Sequence, residues 1–243
     1  MSEEQSMSEE QSMENLITGQ HFGQWVSFLV PPVFRKSEFE DYIALVEHAT
    51  FIGILKYVNS IKKGVEPRCL YLCAPMSGAG KTGLAVCTVK FLIRNDYFPV
   101  TINSTNYSFV NFMDLVMDAR RAYNATSDYE ESKMVKDCLC SDVVVIDGFG
   151  VQKMTEFGTD FILWLVNRFW EYGRRIIFTS NYSIPDLKNR FSYAGENVVV
   201  DSIVSRLETI CQVVEVLTKE DGRARKQTMI SESLIGKQFP FSE

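Results

Sequence analysis

The sequence predicts an α/β fold, a parallel sheet with helices on both faces, and three observations predict it. Apolar runs of strand length alternate along the chain with segments of helical period. A glycine-rich octapeptide, PMSGAGKT (75–82), joins one such run directly to a helical segment. Val143, Val144, Val145 and Ile146 form an unbroken β-branched run, as a strand buried on both faces requires.

The elements follow in order. MSEEQS occurs at 1–6 and again at 7–12, a duplicated polar hexapeptide that buries no apolar area and reads as a disordered acidic tail over 1–14. Residues 15–30 mix apolar and polar side chains as a short amphipathic segment would, and Pro31-Pro32 ends any helix there. From Phe39 to Ile61 the apolar residues Ile43, Val46, Phe51, Ile54, Leu55 and Val58 recur at three- and four-residue steps, which predicts helix. Cys69–Ala74 reads as a strand, Lys81–Asn95 as a helix and Phe98–Asn103 as a strand. Helical spacing covers Phe109–Tyr123, and a second helix runs to about Leu139 after the polar break at Asn124–Asp128. Then come strand 143–146, helix Phe161–Tyr172, strand Arg175–Ser180, helix Ser202–Thr209 and strand Gln212–Leu217.

Composition bounds the function. The chain has 243 residues, enough for one large domain, and 46% of them are apolar, which rules out wholesale disorder. A net charge of −6 argues at first against a nucleic-acid partner. Five glutamates of residues 1–14, with no Lys or Arg among them, account for most of it, so the remaining chain is close to neutral. No apolar run approaches the roughly 20 residues a bilayer demands, and the acidic start is unlike a signal peptide. The six cysteines lack the paired spacing of a zinc site and read as reduced, mostly buried thiols of a cytoplasmic protein. His21 and His48 stand alone, with no partner at metal or triad spacing.

Three stretches carry chemistry. In the octapeptide, Ser77, Gly78, Ala79, Gly80, Lys81, Thr82 and the following Gly83 form a candidate phosphate cradle. Gly78 and Gly80 let backbone N–H groups turn toward phosphate oxygens, and the next helix aims its positive end at the same point. Lys81 would reach the β- and γ-phosphates of ATP, and the Thr82 hydroxyl would sit on Mg²⁺. The pattern departs from G-x-x-x-x-G-K-[ST] in one place, where Pro75 stands for the first Gly. The second stretch is VVVID (143–147), an apolar strand ending in Asp147, a candidate metal carboxylate. The third is IIFTSN (176–181), which puts Asn181 at the carboxyl end of a strand, where parallel sheets bind ligands. Read alone, Asn181 is equally an N-cap or Asx-turn residue.

Together these stretches resemble AAA+ ATPases of the DnaC/DnaI/IstB type, the bacterial and phage replicative helicase loaders and their transposition-helper relatives. The resemblance runs from Pro31 to about Lys226 through PPVFRKSEFEDY (31–42), SGAGKT, VVVIDGFGVQKMTEF (143–157), RRIIFTSNYSIPDL (174–187), DSIVSRLETICQVVEV (201–216) and EDGRAR (220–225). It implies a P-loop AAA+ core over 39–243, preceded by a short segment, 15–38, that is a candidate partner-binding element. It also implies Asp147 as the Walker B residue and Asn181 as sensor 1. Arg206 would be the arginine finger reaching a neighbouring subunit's γ-phosphate, and Arg223 the sensor-2 arginine. An Arg suits both positions because its planar fork neutralises phosphoryl charge. Read alone, Arg206 is a solvated charge on an apolar helix.

The implied activity is an ATP-binding helicase loader in DNA replication. It would oligomerise with ATP–Mg²⁺ through Arg206 in trans, bind single-stranded DNA and deliver a replicative DNA helicase. The resemblance implies a bacterial cytoplasmic location, phage-encoded or on a mobile element, with no membrane partner. For DNA, the basic pairs Arg35-Lys36, Lys62-Lys63, Arg120-Arg121 and Arg174-Arg175, with Arg223, Arg225 and Lys226, must gather on one surface. Gly148 follows Asp147 where such ATPases carry Asp or Glu, so hydrolysis is slow, uses another carboxylate such as Glu156, or is lost. A transposition helper and a nucleotide-dependent scaffold without turnover remain as alternatives. A small-molecule kinase would need an acceptor site and an arginine-rich lid, and the sequence offers neither.

Overall fold

The computed structural model describes residues 30–95, 107–125, 132–191 and 197–219. The duplicated tail, most of the segment 15–38, the strand expected at 98–103, and Arg223, Arg225 and Lys226 lie outside the described residues. A 3-10 turn, Pro32–Phe34, leads into α1 (Glu40–Ile43) and α2 (His48–Lys63). There follow β1 (Cys69–Cys73), α3 (Lys81–Arg94), β2 (Tyr107–Asn111), α4 (Phe112–Ala125), α5 (Lys133–Cys140) and β3 (Val143–Phe149). The described chain ends with α6 (Glu156–Glu171), β4 (Arg175–Ser180), α7 (Leu187–Phe191), α8 (Asn197–Ile210) and β5 (Cys211–Glu215).

All five strands are parallel, in the order β2-β3-β4-β1-β5. Period-two alternation divides the core. Cys69, Tyr71, Cys73, Val144, Ile146, Ile176 and Phe178 face a layer that includes α4, α5, α6 and α8. Leu70, Leu72, Val143, Val145 and Ile177 face α2 and α3. The predicted α/β architecture is therefore observed: both faces of the sheet are covered, and the central strands β1, β3 and β4 are buried along most of their length. Helix ends are capped as their sequences dictate. Thr155 accepts the Gly158 amide at the start of α6, Ser132 accepts that of Val135 at the start of α5, and Gly64 closes α2 with φ of 67°.

Two expectations need correction, besides the helix expected from Phe39 to Ile61, which is parted into α1 and α2 where Val46 bridges Thr218. Phe109, expected to open a helix, lies in β2, and α4 begins only at Phe112. Phe109, Phe112, Leu115 and Val116 share a helical spacing, but Tyr107, Phe109 and Asn111 alternate on the outermost strand, and pairing with Val143–Asp147 decides the matter. Secondly, the described basic pairs do not all gather on one face. Lys62-Lys63 end α2 on one face of the sheet, whereas Arg120-Arg121 lie in α4 on the other. Arg174 is paired with Asp142 at 3.5 Å.

The segment before α1 is joined to the body through Glu38. Its carboxylate takes two hydrogen bonds from Arg94, at 2.7 and 2.8 Å, and one from Lys90 at 3.0 Å, both on α3. Burial works against ionisation of Glu38, but the bonds from Arg94 and Lys90 outweigh it and hold the carboxyl below the usual carboxylate value.

Candidate nucleotide-binding site

A parallel sheet collects the carboxyl ends of its strands on one edge, and the order β3-β4-β1 brings three sequence-distant segments together there. The loop after β1 turns through Gly78 (φ 90°) and Gly80 (φ 91°), conformations that cost an L-residue about 1–2 kcal/mol, and then enters α3 at Lys81. The Lys81 ammonium is buried and donates to the carbonyls of Ala74 at 3.1 Å and Met76 at 2.9 Å, tying the two sides of the loop. Pro75 sits between those two carbonyls.

Thr82 meets β3. Its hydroxyl donates to Asp147 Oδ1 at 2.7 Å, a contact across 65 residues of chain. Thr179 on β4 donates to the same oxygen at 2.6 Å, and its own oxygen accepts the Gly148 amide at 3.1 Å. Sequence reasoning missed Thr179, although parity could have found it. In β4, Thr179 follows Ile177 on the α3 side, the side to which Val145 and Asp147 also belong.

Gly148 has φ of 78° and lies inside a β-bulge. Ile146 pairs with Phe178 and Phe149 with Ser180, so β3 spends three residues where β4 spends two. The extra residue reverses parity, and Phe149 enters the layer already occupied by Val144 and Ile146. There its ring lies 4.8 Å from those of Phe112 and Phe178, with Tyr71 and Phe191 edge-on at 6.5 and 5.5 Å. The glycine that stands where an acid was expected thus has its own conformational reason.

Ser180 closes the edge. Its hydroxyl donates to the Phe149 carbonyl at 2.7 Å and accepts the Tyr182 amide at 3.0 Å, while its carbonyl receives the Ala74 amide at 3.2 Å. Asn181, half-buried, sits in the turn so formed, beside the ends of β1 and β3. The loop after β3 is clamped by Arg190, which donates to the carbonyls of Gly150 and Val151 and stacks on Tyr182 at 4.8 Å. Glu156 is exposed in the first turn of α6. Arg206 lies near the carboxyl end of α8, just before β5 begins, and therefore at the opposite edge of the sheet from Lys81. Its guanidinium is 4.9 Å above the half-exposed ring of Trp170, beside a groove of about 630 Å³ that includes Val198, Asp201 and Ser205. The structure brings Lys81, Thr82, Asp147 and Asn181 to one edge, and Arg206 is not among them.

The thiols stand apart from this chemistry. Cys73 ends β1, and burial, with Glu215 adding to it, raises its thiol to about 11. Cys69, Cys87, Cys138 and Cys211 are buried and free, and Cys140 is exposed.

The donor set suits Mg²⁺, a hard cation bound by oxygen and held in nucleotide sites by one or two protein groups plus phosphates. Thr82 and Asp147 supply one hydroxyl and one carboxylate oxygen within 2.7 Å of each other.

Residues 66–230 match the family of IstB-like ATP binding proteins. No curated protein matches the chain in sequence. Among solved structures, the DnaC helicase loader is 19% identical with a TM-score of 0.56, covering 76% of this chain and 99% of that one. DnaI is 16% identical with a TM-score of 0.60, covering 76% and 94%. The replication initiator DnaA bound to AMPPCP and single-stranded DNA is 16% identical with a TM-score of 0.58, covering 86% and 56%. At these identities the likeness is one of fold.

Proposed function

The chain belongs to the family of IstB-like ATP binding proteins, with a DnaC/IstB-like AAA+ core, and from that premise we propose that it is a nucleotide-driven helicase loader. It would bind ATP–Mg²⁺, assemble into an oligomer, hold single-stranded DNA and deliver a replicative helicase. The observation that carries the nucleotide step is the 2.7 Å contact of Thr82 with Asp147 beneath a glycine-turned loop at a helix start. That is the pairing a P-loop ATPase uses to hold its metal.

Each residue has a task. Backbone N–H groups of Ser77–Gly83 cradle the phosphates at the start of α3. The Lys81 ammonium, held by two carbonyls at the loop, turns its donors to the β- and γ-phosphate oxygens. Mg²⁺, when bound, neutralises phosphate charge, and Thr82 and Asp147 are the residues that hold it. Asn181 at the end of β4 orients the γ-phosphate or the attacking water. Arg206, remote from its own Lys81, serves the site of an adjoining copy, which makes ATP the glue between subunits. Arg223 would add a second arginine to the nucleotide. With Gly148 in a left-handed bulge no general base follows Asp147, so turnover is slow and ATP works chiefly as an assembly signal.

The DNA part rests on the family and on the single-stranded DNA held by the DnaA structure, since the described basic pairs do not form one patch. The family description favours a second reading, a transposition helper that recruits a transposase in place of a helicase. Sedimentation with ATP–Mg²⁺, with and without single-stranded DNA, tests the common part of both readings. Assembly that requires ATP and is reinforced by DNA is expected, and a monomer indifferent to both at saturating nucleotide refutes them. Co-purification with a helicase or with a transposase then separates the two.

A further inference from the structure

Asp147 accepts two hydroxyl protons on one oxygen, from Thr82 at 2.7 Å and from Thr179 at 2.6 Å. The two donors differ in freedom. Thr82 stands in the first turn of α3, directly after the phosphate loop and half-buried, and its hydroxyl is the one expected to turn toward a bound cation. Thr179 is 2% exposed within β4, and its oxygen already accepts the Gly148 amide at 3.1 Å. With that acceptor position used, its single proton is directed to Asp147. A β-branched residue in a strand has little rotational freedom at χ1, so this donor is fixed by the backbone.

We propose that Thr179 is a positioning residue for the metal carboxylate: it sets the rotation of the Asp147 side chain and pins the bulge at Gly148 beneath it. The inference rests on the nucleotide-binding reading above. When the Thr82 hydroxyl serves a cation, Thr179 remains as the donor on Oδ1, and the carboxylate enters the complex already oriented. Because Asn181 lies two residues further along the chain, just past the end of β4, the hydroxyl also ties the metal carboxylate to the turn that carries Asn181.

The test is a titration of a fluorescent ATP analogue, at rising Mg²⁺ and in EDTA, with the full chain and its variants. Thr179→Val removes the hydroxyl at nearly constant volume, and Thr179→Ser keeps it. The Mg²⁺ midpoint of Thr179→Val is expected to rise about tenfold or more, as for other residues that orient metal ligands. Binding in EDTA stays as in the wild type, and Thr179→Ser restores the midpoint. A purely structural role would weaken binding equally with and without Mg²⁺, and that result overturns the proposal. So does a Thr179→Val midpoint equal to that of the wild type. If Thr179→Val melts below the assay temperature, Thr179→Ala, which adds no methyl against Asp147, is read in its place by the same criteria. A wild-type chain that binds no ATP analogue under any condition refutes the functional reading and this inference with it. Binding by the wild type with an unchanged variant refutes the inference alone.

Discussion

Tyr42 fills the space that a side chain at Gly83 would need: a β-carbon built there overlaps the phenol oxygen and lies within 3.1 Å of the ring's Cε1. The same ring is 3.0 Å from a β-carbon built on Gly80. The residue thus presses the segment before α2 onto the first turn of α3, and its hydroxyl is within hydrogen-bond distance of Ser37 at 3.3 Å. Burial raises the phenol to about 12, so Tyr42 stays neutral at any physiological pH.

Gly83→Ala should therefore destabilise the fold by about 1–3 kcal/mol through overpacking. Tyr42→Leu in the same chain should recover part of that loss, because the two positions share one contact. Urea denaturation of the two single variants and the double variant measures the coupling. Strictly additive effects would show that the Tyr42 ring does not limit position 83.

Gly148 gives a second prediction. A β-carbon there would meet Asn111 Nδ2 at 3.8 Å and Val151 Cγ2 at 3.9 Å, ordinary contacts, so the obstacle to a side chain is the φ of 78°. Gly148→Glu introduces the acid expected after Asp147 from the resemblance, but a left-handed L-residue costs about 1–2 kcal/mol. Relaxing to negative φ would undo the bulge and turn Phe149 out of its aromatic cluster. Gly148→Glu is expected to unfold at lower urea concentration without gaining appreciable ATPase activity, and Gly148→Asn should lose less stability because Asn tolerates this region. A Gly148→Glu protein as stable as the wild type and rapidly hydrolysing would contradict the structural account of this glycine.

The glycine also marks the boundary of what could be read in the sequence. PMSGAGKT between a strand and a helix, and VVVID one strand–helix unit later, were legible because a phosphate cradle and a buried parallel strand each need a particular local pattern. The bulge was not legible, since it shows only as a register difference between β3 and β4. Thr179 belongs to the same class: its role depends on which face of β4 meets Asp147. The start of α4 was misplaced because two periodicities overlap at Phe109, and only strand pairing separates them. The Glu38 clamp joins residues 52 and 56 positions apart, a distance at which charge patterning carries no signal.

That clamp predicts a pH dependence. Glu38 titrates below its usual 4.5 in the folded chain. A depressed carboxyl contributes stability that is fully present above the unfolded value and lost as pH falls through the folded one. Glu38→Gln removes one counter-charge from Lys90 and Arg94, whose side chains are 4% and 11% exposed. Because Glu38 is itself 36% exposed, solvent screens part of the pairing. The cost at pH 7 is therefore put at about 2 kcal/mol, below the 3–5 of a fully buried pair. Thermal melts of wild type and Glu38→Gln should differ clearly at pH 7 and converge below about pH 4.5. A gap that persists unchanged at pH 3 would mean that shape, and not charge, accounts for the loss.

Arg206 supplies the most direct test of assembly. It sits on the Trp170 ring, near the edge of the sheet where the strands begin, while Lys81 and Asp147 occupy the edge where they end. One chain therefore cannot bring its own Arg206 to its own phosphates without rearranging α8, whereas a head-to-tail neighbour can. Lys81→Ala removes the proposed phosphate ligand but leaves Arg206 in place, and Arg206→Ala does the reverse. Each variant alone should lose ATP-dependent assembly and most of its hydrolysis, an arginine finger contributing about 10³–10⁵ to the rate where it acts fully. Mixed, the two should recover a fraction of both, because a Lys81→Ala subunit can present its arginine to an intact site on an Arg206→Ala subunit. Light scattering and phosphate release on the mixture measure this. No recovery from two folded variants, each at concentrations where the wild type assembles, would place the action of Arg206 within its own chain or outside catalysis.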